Sequence, residues 1–257
     1  MPLPLLTLQD IDKVYQNGTV ALQGVNLTVH PGEFISLVGP SGCGKSTVLR
    51  LVAGLGTPTK GTMTWPGSTQ QRNDLAFVFQ DPALMPWANV VDNIYLPLKL
   101  KRQRLRSVRG SIQAAINTVD LNGYGQSYPR QLSGGMKMRV SIARALVTKP
   151  QVLLMDEPFG ALDEMTRSRL NSDLLRLWRE KNWTVLFVTH NIYEAVYLST
   201  RVVVMAAQPG RVVANISIDA PQVRTDDFRT SPQFNHYCRE IMTALSEAEA
   251  AGTGQKR

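Results

Sequence analysis

Nine residues fix the frame of this chain: Gly39-Pro40-Ser41-Gly42-Cys43-Gly44-Lys45-Ser46-Thr47. The pattern is that of a phosphate-binding loop, which has to lie between a buried strand and a helix. Its glycines let consecutive backbone N–H groups converge on an anion, and the positive end of the following helix stands behind them. Lys45 adds a charge that bridges the β- and γ-phosphates, and Ser46 supplies a hydroxyl suited to Mg²⁺. The flanks agree with the motif. Phe34 to Val38 is a short, mostly apolar strand, and Thr47 to Leu55 has a helical pattern stopped by Gly54, Gly56 and Pro58. Cys43 fills a free position of the motif as a small side chain. Because helix N-termini lower thiol pKa values, bound nucleotide is expected to slow its alkylation.

A phosphate loop alone says only that a nucleotide binds, so the other polar strand ends matter. Val152 to Met155 reads as a buried strand, and Asp156-Glu157 ends it. Ends of parallel strands face the ligand crevice. Asp156 suits a Mg²⁺ shell and Glu157 suits polarising a water against the γ-phosphate; adjacent acids also cap turns. His190 follows the strand Trp183 to Val188 through Thr189, either as an ordinary loop histidine or as a hydrogen-bond partner of the γ-phosphate. Gln80 follows Phe77-Val78-Phe79, either as an exposed amide or within reach of Mg²⁺ and the attacking water. Tyr15, upstream of the loop, is an edge-strand aromatic or a platform for adenine, such stacking being worth ~1–3 kcal/mol.

Leu132-Ser133-Gly134-Gly135 is open to two readings. It is a well-capped helix start after a glycine turn, with Ser133 as the cap. The other reading is a second anion site, because Gly134 and Gly135 leave the first-turn backbone open to a phosphate, and its case rests on the neighbouring motifs. A chain with two anion sites divides its nucleotide between two molecules.

The remaining pattern gives the organisation. Leu5 to Leu8, the Asn17-Gly18 hairpin dipeptide and the spaced Leu22, Val25, Leu27 and Val29 read as strands and turns before Pro31-Gly32. From about Pro86 to Thr148 the pattern turns helical, with Met136, Val140, Ala143 and Val147 on one face. Leu170, Leu174, Leu177 and Trp178 stripe a further helix, and Val202 to Met205 is a strand ahead of the Pro209-Gly210 turn. Ser231-Pro232 opens a terminal helix carrying Phe234, Tyr237, Ile241 and Leu245, with a frayed end from Gly252 to Arg257. Strand–helix alternation interrupted by helices implies an α/β core with a helical insertion.

At 257 residues the chain can bury a sizeable core, and no apolar run is long enough to cross a bilayer. Met1-Pro2-Leu3-Pro4 lacks the basic start and small-residue cleavage site expected of a signal peptide, and the two cysteines, Cys43 and Cys238, suit a reducing cytosol rather than a disulfide framework. The net charge of +8 is partly gathered in Lys99, Lys101, Arg102, Arg104, Arg106 and Arg109. That run is a solvated helix face, or a patch for nucleic acid or anionic lipid, and no aromatics are interleaved for base stacking.

Taken together, these residues resemble the ATP-binding cassette (ABC) ATPases over nearly the whole chain. Gly39 to Thr47 looks like Walker A and Val152 to Glu157 like Walker B. Gln80 resembles the Q-loop glutamine, Leu132 to Met136 the family signature, Ala161-Leu162-Asp163 the D-loop, His190 the switch histidine and Tyr15 the adenine-stacking aromatic. Met136 departs from the glutamine of most signatures. The resemblance implies a P-loop NTPase (RecA-like) α/β core with an N-terminal antiparallel β subdomain and an inserted α-helical subdomain. Residues 1–85 and 149–218 would form the core, 86–148 the helical part with the signature, and 219–257 a short helical tail.

It also implies the chemistry. ATP and Mg²⁺ would be bound by Tyr15, by Gly39, Pro40, Ser41, Gly42, Cys43, Gly44, Lys45, Ser46 and Thr47, and by Ser133, Gly134, Gly135 and Asp163. Ser46, Gln80 and Asp156 would hold the metal, and Glu157, His190, Gln80 and Lys45 would carry hydrolysis. Two copies would sandwich two ATP molecules head to tail, a two-fold arrangement with equivalent sites. Gln80 to Trp87 and Met155 to Asp163 resemble the nitrate/sulfonate/taurine importer branch, which includes thiamine-precursor pyrimidine importers. The implied role is that of the peripheral ATPase at the cytoplasmic face of the inner membrane, serving two permease subunits and an extracytoplasmic solute-binding protein. Ala83-Leu84-Met85-Pro86-Trp87 would offer an apolar docking surface. The other reading is a soluble, non-transport ABC ATPase acting on nucleic acid or ribosome. The missing tandem cassette and coiled-coil insertions count against it, and no nucleic acid is expected. A P-loop GTPase ranks third, since no Asn-Lys-x-Asp sequence is present.

Overall fold

The computed structural model describes residues 3–66, 75–221 and 223–253. Its contacts divide the chain into two units, Met1–Asn73 with Thr184–Arg257, and Asp74–Trp183.

In the first unit, β1 (Leu6–Val14) pairs antiparallel with β2 (Val20–Val29) through the Asn17-Gly18 turn. Gly18 has φ 82°, the left-handed backbone such a turn requires. Strand β3 (Phe34–Val38) lies elsewhere, and β4 (Lys60–Thr64) covers the other edge of β1 to complete a three-stranded sheet. Leu6, Leu8 and Ile11 of β1 and Leu22, Val25, Leu27 and Val29 of β2 are buried, so the alternating pattern marks one covered face.

Strand β3 is buried at every position. It runs parallel to β7 (Thr184–Val188) on one side and β8 (Arg201–Ala206) on the other, with β9 (Arg211–Ser217) antiparallel to β8. Helices α1 (Lys45–Val52), α6 (Ile192–Leu198) and α8 (Pro232–Thr253) pack on these strands, which is why β3, β7 and β8 read as largely apolar runs. Two polar residues of these strands are buried, Ser36 of β3 and Thr184 of β7, and Ser199 Oγ donates to Ser36 Oγ at 2.6 Å.

Helix α1 begins at Lys45, two residues ahead of the expected Thr47, and ends at Val52 instead of Leu55. The loop's last glycine already serves as its N-cap, and Gly54, at φ 72°, turns the chain out of the helix. Ser231 Oγ accepts from Phe234 N at 3.1 Å, capping α8 as expected. That helix continues through Gly252 to Thr253, where fraying was expected; residues 254–257 lie outside the described residues. Strands β4 and β9 had no clear sequence signal, because β4 is exposed at four of five positions and β9 alternates weakly.

In the second unit β5 (Leu75–Val78) and β6 (Val152–Asp156) pair in parallel, Val78 opposite Met155. Between them come α2 (Val90–Leu100), α3 (Leu105–Thr118), a 3₁₀ turn (Pro129–Gln131) and α4 (Gly134–Leu146). After β6 comes α5 (Glu164–Lys181). Helix α4 is the hub, touching α2, α3, α5 and β5, and it buries Met138, Val140, Ile142, Ala143, Ala145 and Leu146. Arg139 ties it outward, donating to Val119 O at 2.8 Å and pairing with Asp173 of α5. The short α7 (Asp226–Thr230), back in the first unit, precedes α8.

Candidate functional site

In each unit the candidate residues lie at strand ends and helix starts. In the first unit β3 and β7 run parallel with Leu37 opposite Val188, so the glycine loop and His190 leave neighbouring strands at the same end. Thr189 N donates to Leu37 O at 3.3 Å, holding the two exits together. Ser41 and Gly42 form the exposed crest of the loop, while Cys43 is fully buried beneath it.

Helix α1 receives its N-terminus from Gly44, at φ 89°, with no side-chain cap and no acidic residue in the first turn. A Cβ on Gly44 would meet Leu22 Cδ2 at 2.5 Å and Ala21 O at 2.7 Å, so only glycine fits. A helix start that lacks its own cap and acid leaves first-turn N–H groups and dipole available to an anion. Lys45 is buried, and its Nζ donates to Gly39 O at 2.7 Å and Pro40 O at 3.0 Å. The ammonium is therefore held over the loop it must serve. Tyr15 OH lies 3.2 Å from Thr47 Oγ1, which tethers the half-exposed ring beside α1, and Lys13 Nζ sits 5.4 Å from the ring centre.

One expectation about this loop is wrong. The Cys43 thiol pKa is raised, not lowered, because burial outweighs the charge and hydrogen bonds of Lys45. A helix terminus activates a cysteine only where solvent still reaches it.

The exposed His190 is positioned by its neighbours. Thr189 Oγ1 donates to Glu194 Oε2, Asn191 N donates to Thr189 Oγ1 at 3.0 Å, and Glu194 N donates to Asn191 Oδ1 at 3.1 Å. This ring fixes the backbone on both sides of the histidine. Sequence reading missed it, although Asn191 and Glu194 have the spacing of a capping box.

In the second unit, Gln80, Asp156 and Glu157 leave the paired ends of β5 and β6. A Cβ on Gly160 would be 3.5 Å from Gln80 Nε2 and 3.7 Å from Glu157 Oε2, so amide and carboxylate both face that glycine. Glu157 has φ 47°, a left-handed conformation that costs a non-glycine residue roughly 1–2 kcal/mol and turns the carboxylate sharply off the strand. Arg144 of α4 forks onto the loop after Gln80, donating to Pro82 O at 2.6 Å and Ala83 O at 2.8 Å. Burial lowers its pKa. Beyond this clamp Trp87 is 77% exposed.

Ser133 is the N-cap of α4, its Oγ accepting from Met136 N at 3.3 Å, and neither Ser133 nor Gly134 is buried. Asp163 caps α5 likewise, accepting from Thr166 N at 3.0 Å; that bond holds its carboxyl below the ordinary range. The two starts adjoin. A Cβ on Gly134 would lie 3.4 Å from Leu162 Cδ2, and one on Gly135 would lie 2.6 Å from Thr166 Cγ2. Arg167 fastens the connecting loop, donating to Leu162 O at 2.8 Å and Phe159 O at 3.3 Å. Arg144, Thr166 and Arg167 carried no motif and were not foreseen.

Residues 22–160 match the ABC transporter family model. The chain is 43% identical over 249 residues to an aliphatic sulfonates import ATP-binding protein of Bacillus licheniformis, covering 95% of each. The chain belongs to the ABC transporter family. It is also 39% identical over 259 residues to a nitrate import ATP-binding protein of Synechocystis, covering 96% of this chain and 97% of that one. Among solved ABC structures, it resembles a dimeric ATP-binding cassette in a post-hydrolysis state with ADP and Pi, with a TM-score of 0.73. Identity there is 32%, over 84% of this chain and 100% of the other. The fold is that of an ABC ATPase cassette, and the nucleotide is ATP. No helix among the described residues is long and apolar enough to cross a membrane.

Proposed function

We propose that this chain is the ATP-hydrolysing subunit of an importer, working as a homodimer beneath two integral-membrane permease subunits. The observation that carries this reading is end-to-end likeness to import ATP-binding proteins in a chain that bears its own phosphate loop. The N–H groups of Gly39 to Thr47 and the Lys45 ammonium bind the phosphates, and Tyr15 stacks on adenine. Ser133, Gly134 and Gly135 take the γ-phosphate of the ATP held by the other copy, beside Asp163. Glu157 orients and polarises the attacking water, Gln80 adjusts its approach, and His190 donates to the γ-phosphate and registers its loss.

A Mg²⁺ ion would be held by Ser46, Gln80 and Asp156, whose hydroxyl, amide and carboxylate are the hard oxygen donors it takes. Bound, it would neutralise charge on the phosphates. ATP closes the dimer and hydrolysis reopens it, and the apolar Ala83 to Trp87 segment conveys the motion to the permease. The subunit therefore works at the cytoplasmic face of the membrane, with an extracytoplasmic solute-binding protein supplying cargo. We read that cargo as a small oxyanion of the sulfonate or nitrate kind, with pyrimidines second.

The test is co-purification of the subunit from detergent-solubilised membranes, followed by reconstitution with its permease and binding protein in vesicles. ATP hydrolysis should rise when the binding protein is loaded with an alkanesulfonate or nitrate. Recovery of the subunit with nucleic acid or ribosomes, and no permease, would overturn the reading.

A further inference from the structure

The basic run is the one sequence feature that nucleotide chemistry leaves unused. From Asn93 to Val119 the chain contains no Asp or Glu, yet it carries Lys99, Lys101, Arg102, Arg104, Arg106 and Arg109. The whole chain has a net charge of +8, so this stretch holds most of the excess. All six cations are exposed, and among the described residues none pairs with a carboxylate.

They are gathered at one corner, where the end of α2 turns into the start of α3. Hydrogen bonds hold the corner. Lys101 N and Gln103 N bond back to Pro97 O and Leu98 O, and Tyr95 OH donates to Gln103 O at 2.6 Å. Behind it Val108, Ile112 and Ile116 are buried and fasten α3 to its unit. Two leucines nevertheless point outward among the charges, Leu100 at 75% exposure and Leu105 at 39%.

We propose that this α2–α3 corner is a contact surface for anionic phospholipid headgroups. Cations without acids match the negative surface of a bilayer, and isolated leucines between them enter the headgroup boundary. Nucleic acid fits less well. Tyr95 is the single aromatic between Ala88 and Gly123, and its hydroxyl is already committed to Gln103, so no base-stacking platform is offered. The inference rests on the importer reading only for the presence of a bilayer nearby.

The test uses the full-length subunit without permease, so its outcome is independent of permease capture. Sedimentation with phosphatidylcholine vesicles is compared with vesicles containing about 30% phosphatidylglycerol. Binding is expected only to the anionic vesicles, and to weaken as salt is raised from roughly 0.1 to 0.5 M. Each cation removed should weaken it about fivefold, so the triple variant Lys101→Gln/Arg106→Gln/Arg109→Gln should lose roughly a hundredfold. The same variant should keep its vesicle-free ATPase activity, which also reports that it is folded. Leu100→Ser should weaken binding while leaving its salt dependence unchanged. Equal binding to both vesicles, binding to neither, or salt-sensitive binding to duplex DNA in preference to lipid would each overturn the proposal.

Discussion

Thr166 Cγ2 stands 2.6 Å from where a Cβ on Gly135 would be placed. The first turns of α4 and α5 are thus interlocked, one capped by Ser133 and the other by Asp163. The backbone that would present the second anion site is fitted against the D-loop helix, with no room for even one more methyl group. Gly135→Ala should therefore cost about 1–3 kcal/mol of stability. Thr166→Ser, which removes the opposing methyl, should recover most of it in the double variant, read as denaturant midpoints in a mutant cycle. Strict additivity would show that the contact is not the cause.

Arg144 satisfies two carbonyls at once, Pro82 O and Ala83 O. Arg144→Ala leaves both without their donor and should destabilise the chain by about 1–3 kcal/mol. Arg144→Lys should rescue little, since one ammonium cannot reproduce the planar fork. Thermal unfolding of the three forms checks the order.

Glu157→Gln removes the base but keeps the shape of the side chain. Turnover should vanish while ATP still binds, leaving a dimer that persists on size-exclusion chromatography. A variant that stays monomeric with ATP would contradict the assigned role. Ser133→Arg should block hydrolysis but leave ATP binding by the monomer intact; undiminished ATPase activity would refute the shared site.

Cys238 is buried on α8, and burial pushes its thiol up to about 11 from 9.0. The sign follows from linkage. Between these values the unfolded thiol ionises and the folded one does not, so folding stability falls as pH rises from about 9 towards 11. Below pH 9 the thiol is protonated in both states and contributes no slope. Cys238→Ala should flatten that part of the stability–pH curve relative to the parent. Identical slopes would rule out the burial effect.

The legible features were those that local chemistry imposes. The loop Gly39 to Thr47 demanded a strand and a helix, and β3 and α1 flank it. The Asn17-Gly18 turn, the Ser133 cap and the Ser231-Pro232 start were readable because each satisfies nearby backbone groups. Cys43 was misjudged for the opposite reason: exposure is not a local property, and desolvation reversed the expected shift. The clamp of Arg144, with partners more than sixty residues away, had no motif to announce it.

By itself, then, the sequence determined the phosphate loop, the order of the polar strand ends and the family they resemble, because those depend on residue types at short spacings. Tertiary structure alone decided which partners meet. Parallel pairing of β3 with β7 sets His190 beside the loop's exit, and pairing of β5 with β6 sets Gln80 near Glu157. Packing of α4 against α5 makes any side chain at Gly135 costly, and the turn from α2 into α3 gathers a scattered basic run on one corner. The reason is physical: spacing along a chain fixes dihedral preference and caps, whereas burial and long-range contact exist only once strands have found their register.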